Sequence, residues 1–172
     1  MSIRPDVERT GDIWCRVSGL FHRAVNPAFQ ADALDGSRVA GRYSGPSQRT
    51  LYLSSSPEGV EAAMTTRPPA HSTDLVMLSF RVAAEAIIDL RNPDTVEAAG
   101  IDLTDAIAPW SDIVRAGGEP ASWRVRRRLE SLGANGLIDP SRQRPGLWHL
   151  TLFRWNCPNG PSVGLEGPTE SQ

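Results

Sequence analysis

The run Leu75-Val76-Met77-Leu78-Ser79-Phe80-Arg81-Val82 has the length and composition of a strand buried on at least one face. Such a strand cannot stand alone, because its backbone groups and its apolar surface both need partners. Shorter β-prone segments supply them at 13–17, 50–54, 86–90, 136–138 and 147–153. Helical patterns fall between the strands without a strict βαβ rhythm, and no internal repeat is present. The pattern predicts an α+β fold. At 172 residues the chain suits a single domain with a core of its own.

The helices are marked by their ends. Ser56-Pro57-Glu58 puts a capping hydroxyl before a proline at the first helical position, with an acid in the first turn, and predicts a helix over 57–64. Thr65-Thr66-Arg67-Pro68-Pro69 stops it. A short helix is expected over 93–98, with weaker helical hints to residue 118 broken by Pro109 and Gly117-Gly118. Ala121, Val125, Leu129 and Leu132 lie on one face of a further helix ended by Gly133. Arg124, Arg126, Arg127 and Arg128 occupy its other faces, where a solvated surface is the simpler reading beside a phosphate or partner surface. Residues 1–12 read as a loose lead-in, 21–36 as an irregular loop around Asn26-Pro27 and Asp35-Gly36, and the polar, Gly/Pro-rich tail after Pro158 as frayed.

Composition removes several functions. A net charge of −2 offers no long-range attraction to nucleic acid or to anionic lipid. All 18 basic residues are arginine, so Schiff-base, P-loop-lysine and Ser-Lys chemistries are excluded. Cys15 and Cys157 belong to no metal or disulfide pattern, no apolar run approaches the roughly 20 residues that span a bilayer, and the N-terminus lacks the apolar core of a signal peptide. A soluble protein of the reducing cytoplasm is expected. The sequence contains no GxGxxG, HExxH or P-loop pattern. The three histidines share no metal-ligand spacing. His71 and His149 read as surface or packed residues, whereas His22 sits with Arg23 in a turn-rich stretch of the kind where functional groups concentrate.

The densest polar cluster, Gly41 to Glu61, reads GRYSGPSQRTLYLSSSPEGVE. It holds the turn Gly41-Arg42-Tyr43 and the strand Leu51-Tyr52-Leu53-Ser54 running into Ser56-Pro57-Glu58. Later come Asp139-Pro140-Ser141 and a closing strand over 150–155. In that order these pieces resemble the RES domain, a family whose members are mostly bacterial toxins paired with an antitoxin. The similarity spans 13–156, leaving 1–12 and 158–172 as flexible termini. The resemblance implies a core related to ADP-ribosyltransferases, a mixed β-sheet with flanking helices, and cleavage of the bond between nicotinamide and ribose in NAD. It further implies phosphate or water as acceptor, or a protein that receives ADP-ribose, and a cognate antitoxin as partner. No metal, membrane or nucleic acid enters.

That cleavage makes the ribose resemble an oxocarbenium ion, so an anchored pyrophosphate and a nearby carboxylate lower the barrier. Arg42 suits the anchor, since a guanidinium grips an anion bidentately. Tyr43 and Tyr52, the only tyrosines, suit stacking on nicotinamide and bonding the ribose, with packing as the rival role of Tyr52. Ser141 suits orienting Arg42 or the carboxamide, and His22 joins the NAD-binding set. The family glutamate is expected eleven residues after the strand tyrosine, where Ala63 stands. Glu61 is therefore the expected carboxylate, although two residues turn a helical side chain by about 200°. Glu58 is explained as a helix-dipole partner. A mono-ADP-ribosyltransferase and a non-catalytic NAD-binding module stay open beside NAD destruction.

Overall fold

The computed structural model describes residues 4–64 and 74–169; the expected helix stop at 65–69 and His71 lie outside them. Seven strands form the fold: β1 (Asp6–Arg9), β2 (Cys15–Val25), β3 (Leu51–Ser54), β4 (Val76–Asp89), β5 (Gly136–Pro140), β6 (Trp148–Leu152) and β7 (Ser162–Pro168). Five helices accompany them: α1 (Pro57–Met64), α2 (Pro93–Ala99), α3 (Leu103–Ile107), α4 (Ser111–Arg115) and α5 (Ala121–Ser131). The α+β expectation is met. The neighbour order is β1-β2-β3-β6-β5-β4-β7, and because β2 also pairs with β4, the strands β2-β3-β6-β5-β4 close into a ring. All pairings are antiparallel except β4 with β5.

Alternation divides the ring into two environments. Phe21, Leu51, Leu53, Phe80, Ile138, Leu150 and Leu152 face one buried cluster, closed by Trp155. Tyr52 and Leu137 face the other side, where Val96, Ala99, Val125 and Leu129 of the helices build a second core with Tyr43. Between them on that side the strands carry Ser54, His149 and Asp139, one residue out of phase with the leucines.

Four segments differ from the sequence expectation. Asp6–Arg9 is a strand on β2, where a loose lead-in was expected. β2 runs on to Val25 through the expected loop, because Phe21 opposite Phe80 gives it a buried face; what remains of the loop is a 3₁₀ segment, Pro27–Asp35, capped by Asn26. The expected strands at 75–82 and 86–90 are one strand. Ala86 adopts φ 56° there, and Asn135 fastens the bend by donating from its backbone N to Ala86 O at 2.9 Å and from Nδ2 to Glu85 O at 2.9 Å. Past Pro158 the chain does not fray: Ser162–Pro168 pairs with β4. The helices over 93–98 and 121–132 form as expected, α2 ending on left-handed Gly100 and α5 followed by Gly133 at φ 94°. Arg126 corrects the solvated-face reading of α5. It is 4% exposed, donates to Tyr43 O at 3.1 Å and Thr50 Oγ1 at 2.6 Å, pairs with Glu130, and lies 4.7 Å over the Phe153 ring.

Candidate functional site

The loop before β3 is fixed by what a side chain at Gly41 would strike. A Cβ there would sit 2.7 Å from the Tyr52 hydroxyl, which needs that space to accept from Tyr43 N at 3.1 Å and to share a 2.7 Å bond with Ser44 Oγ. From α5, Trp123 Nε1 donates to Gly41 O at 2.9 Å and Ser122 Oγ donates to Arg42 O. The Gly-Arg-Tyr turn is thus clamped between β3 and α5.

Arg42 then has a fixed direction. Its Nη1 donates to Ala106 O and Ala108 O at the end of α3, each at 3.0 Å. Burial lowers its pKa, and the neighbouring Arg142 acts the same way. Tyr43 is buried and donates its hydroxyl to Asp139 Oδ2 at 3.0 Å. Burial and the Asp139 charge push that phenol far up, and burial also raises Tyr52. Arg142 Nη1 reaches the same Asp139 oxygen at 3.1 Å, while its Nη2 donates to Ala106 O.

These groups border a cavity of about 580 Å³. His22, Arg42, Tyr43 and Tyr52 all line it, so the structure brings together four of the six residues singled out in the sequence. Glu61 and Ser141 are not among the lining residues. Glu61 is exposed on α1, whose cavity-facing side chains are Val60 and Ala63, one helical turn apart. Position 63 therefore faces the cavity as the family spacing requires, but with a methyl group. Ser141 closes the turn between β5 and β6, with its N donating to Leu147 O and its Oγ accepting from Arg144 N.

Sequence reasoning missed Ser54, Asp139, Arg142, His149 and Trp110, which also line the cavity. Ser54 Oγ lies 3.0 Å from His149 Nδ1, and His22 Nδ1 lies 3.1 Å from Thr169 Oγ1 and 3.3 Å from Ser79 Oγ. Burial depresses both imidazoles; Glu58 opposes this at His22, and Asp139 opposes it at His149. A signal was available. Tyr52-Leu53-Ser54 and His149-Leu150-Thr151 alternate polar with leucine, which marks a strand whose second face is polar yet covered.

The lining holds three arginines, Arg23, Arg42 and Arg142, against one carboxylate, Asp139. That balance suits an anionic ligand. Among the described residues no helix is long and apolar enough to cross a membrane.

No curated protein matches the sequence. Among solved structures, the chain resembles one from the Mycobacterium tuberculosis MbcT-MbcA toxin-antitoxin complex, with a TM-score of 0.55 and 20% identity over 87% of this chain and 76% of that one. The RES domain family model matches residues 14–171, which takes in β2 to β7, the cavity and the helices around it. The chain belongs to the RES domain family.

Proposed function

We propose that this chain is the toxin of a toxin-antitoxin pair and that it cleaves the nicotinamide-ribose bond of NAD in the ring-side cavity. The observation that carries this reading is Arg42, which is held on two carbonyls at the end of α3 beside Arg142 in a cavity bordered by two tyrosines. Membership of the RES family and the likeness to the MbcT-MbcA complex support the toxin role and a cognate antitoxin partner.

The arginines bind the pyrophosphate and hold the dinucleotide in place, since preorganised cations act strongly where water is excluded. Tyr52, fixed by Ser44 and the Tyr43 amide, offers an oriented hydroxyl to the ribose or the carboxamide. As the bond to nicotinamide lengthens, positive charge moves from the ring onto the ribose. Its capture by water or phosphate destroys NAD; capture by a protein side chain is ADP-ribosylation.

A second reading has a specific observation behind it. Ala63 gives the cavity no carboxylate from α1, which favours a module that binds NAD without turning it over. Incubation with NAD labelled in its adenylate half separates these readings: free nicotinamide with soluble label supports NAD destruction, and label on protein supports transfer. Binding without nicotinamide release supports the module. Induction in bacteria is expected to arrest growth and to lower NAD; normal growth with unchanged NAD and no labelled protein would sink the proposal.

A further inference from the structure

Register places one row of polar side chains across five strands. Ser79 pairs with His22 between β4 and β2, His22 with Ser54 between β2 and β3, Ser54 with His149 between β3 and β6, and His149 with Asp139 between β6 and β5. Directly paired residues share a face, and four of the five line the cavity. Within the row, Ser54 Oγ holds His149 Nδ1 at 3.0 Å. Among the described residues every buried side-chain nitrogen and oxygen has a partner, and among those same residues none is hydrogen-bonded to His149 Nε2. Nε2 is therefore accessible, on a residue that lines the cavity.

The other ionisable groups around the cavity are committed. The arginines stay charged. Asp139 accepts from Tyr43 and Arg142, and the tyrosine hydroxyls are bonded to Asp139 and Ser44. Ala63 lines the cavity with a methyl group, and Glu58 and Glu61 of α1 are both exposed and outside the lining, so α1 places no carboxylate in it. The two imidazoles remain. Both are tied at Nδ1, His22 to Ser79 and Thr169 and His149 to Ser54; His149 differs in its register partner Asp139, which brings it beside the Arg142 and Tyr43 that meet that carboxylate.

We propose that His149 Nε2 is the general base that takes the proton from a neutral acceptor hydroxyl, of water or of a protein side chain, as that oxygen attacks the ribose. This rests on the NAD-cleavage reading. The acceptor O–H bond breaks with its proton passing to Nε2, and the O–C1′ bond forms. The C1′–N bond breaks with its electron pair staying on the nicotinamide nitrogen, which loses its positive charge. The imidazolium later returns the proton to solvent. With Nδ1–H donating to Ser54 Oγ, the Nε2 lone pair faces the acceptor. Burial holds the ring below the ordinary value of 6.5, Asp139 opposes and Arg142 adds to this from β5 and its following turn, and Glu58 of α1 acts on His22. The ring is thus a free base at neutral pH.

The test is nicotinamide release by the full chain between pH 5 and 9, in buffer with and without phosphate, for wild type, His149→Gln, His149→Ala and Ser54→Ala. His149→Gln is expected to lower kcat about 100-fold or more with KM for NAD little changed, and to lose the fall in rate on the acid side. Imidazole added to His149→Ala should restore part of the rate, which also covers a glutamine variant that fails to fold. Ser54→Ala should move the acid limb and leave KM within about threefold. Wild-type turnover matched by His149→Gln within about threefold overturns the assignment. So does a rate that needs phosphate and persists in His149→Gln, because phosphate dianion requires no base. A wild-type chain that binds NAD and releases no nicotinamide overturns the NAD-cleavage reading, and this inference with it.

Discussion

Asp139 is the residue on which the two halves of the cavity meet. It is buried, and its Oδ2 takes the Tyr43 hydroxyl from one side and the Arg142 guanidinium from the other. Removing only the hydroxyl, as in Tyr43→Phe, leaves a buried carboxylate with one of those partners gone. The expected loss is about 1–3 kcal/mol, seen as a drop in Tm of about 2–4 °C for each kcal/mol in a domain of this size. An unchanged Tm would show that the Arg142 contact suffices. Glu61 gives the opposite case: exposed and outside the lining, its change to glutamine should cost within about 0.5 kcal/mol and alter nicotinamide release less than twofold. A tenfold loss would return Glu61 to the site. Arg42, Tyr43 and Tyr52 were legible because the local motifs that carry the resemblance to the RES domain contain them, whereas His22 was singled out for a turn-rich setting and lies instead on β2. Asp139, Arg142 and His149 were not, because their roles arise from cross-strand register, which pairs positions such as 54 and 149 that no local pattern connects.

Elements with strong end signals were legible. Pro57, Asn92-Pro93 and Gly133 set helix limits through groups next in sequence, whereas the extents of β1, β2 and β7 depend on strands far along the chain. β4 shows the difference most clearly. The sequence 83–85 lacks large apolar residues and reads as a gap, yet the strand passes through it, because β2 and β7 pair with it there and Asn135 holds the bend at Ala86. An L-residue in the left-handed region costs roughly 1–2 kcal/mol, and glycine costs about 0.5–1 kcal/mol in the unfolded chain. Ala86→Gly is therefore expected to raise stability by up to about 1 kcal/mol in urea denaturation. A loss of stability would mean that the methyl group packs better than the strain it causes.

At the scale of the molecule, pH acts through the depressed imidazoles. His22 and His149 have folded pKa values below their ordinary 6.5, so in the window beneath that value the unfolded chain binds more protons than the folded one. The stability they contribute is complete above about pH 7 and is lost as pH falls through 6.5 toward the folded values. Urea midpoints measured from pH 7.5 down to 5.5 should decline, and the double variant His22→Gln, His149→Gln should show a flatter profile. Equal slopes would place the pH response elsewhere.

The closed ring also sets an order in time. Ser54 and His149 are 95 residues apart, and β6, which begins at Trp148, is the strand that joins β3 to β5. A ribosome that has reached Asp139 has already made His22, Arg42, Tyr43 and Tyr52, but not the strand between β3 and β5. Chains emerge from the N-terminus, and contacts this distant in sequence form late. The growing polypeptide thus carries most of the cavity's lining side chains while the enclosure that gathers them does not yet exist.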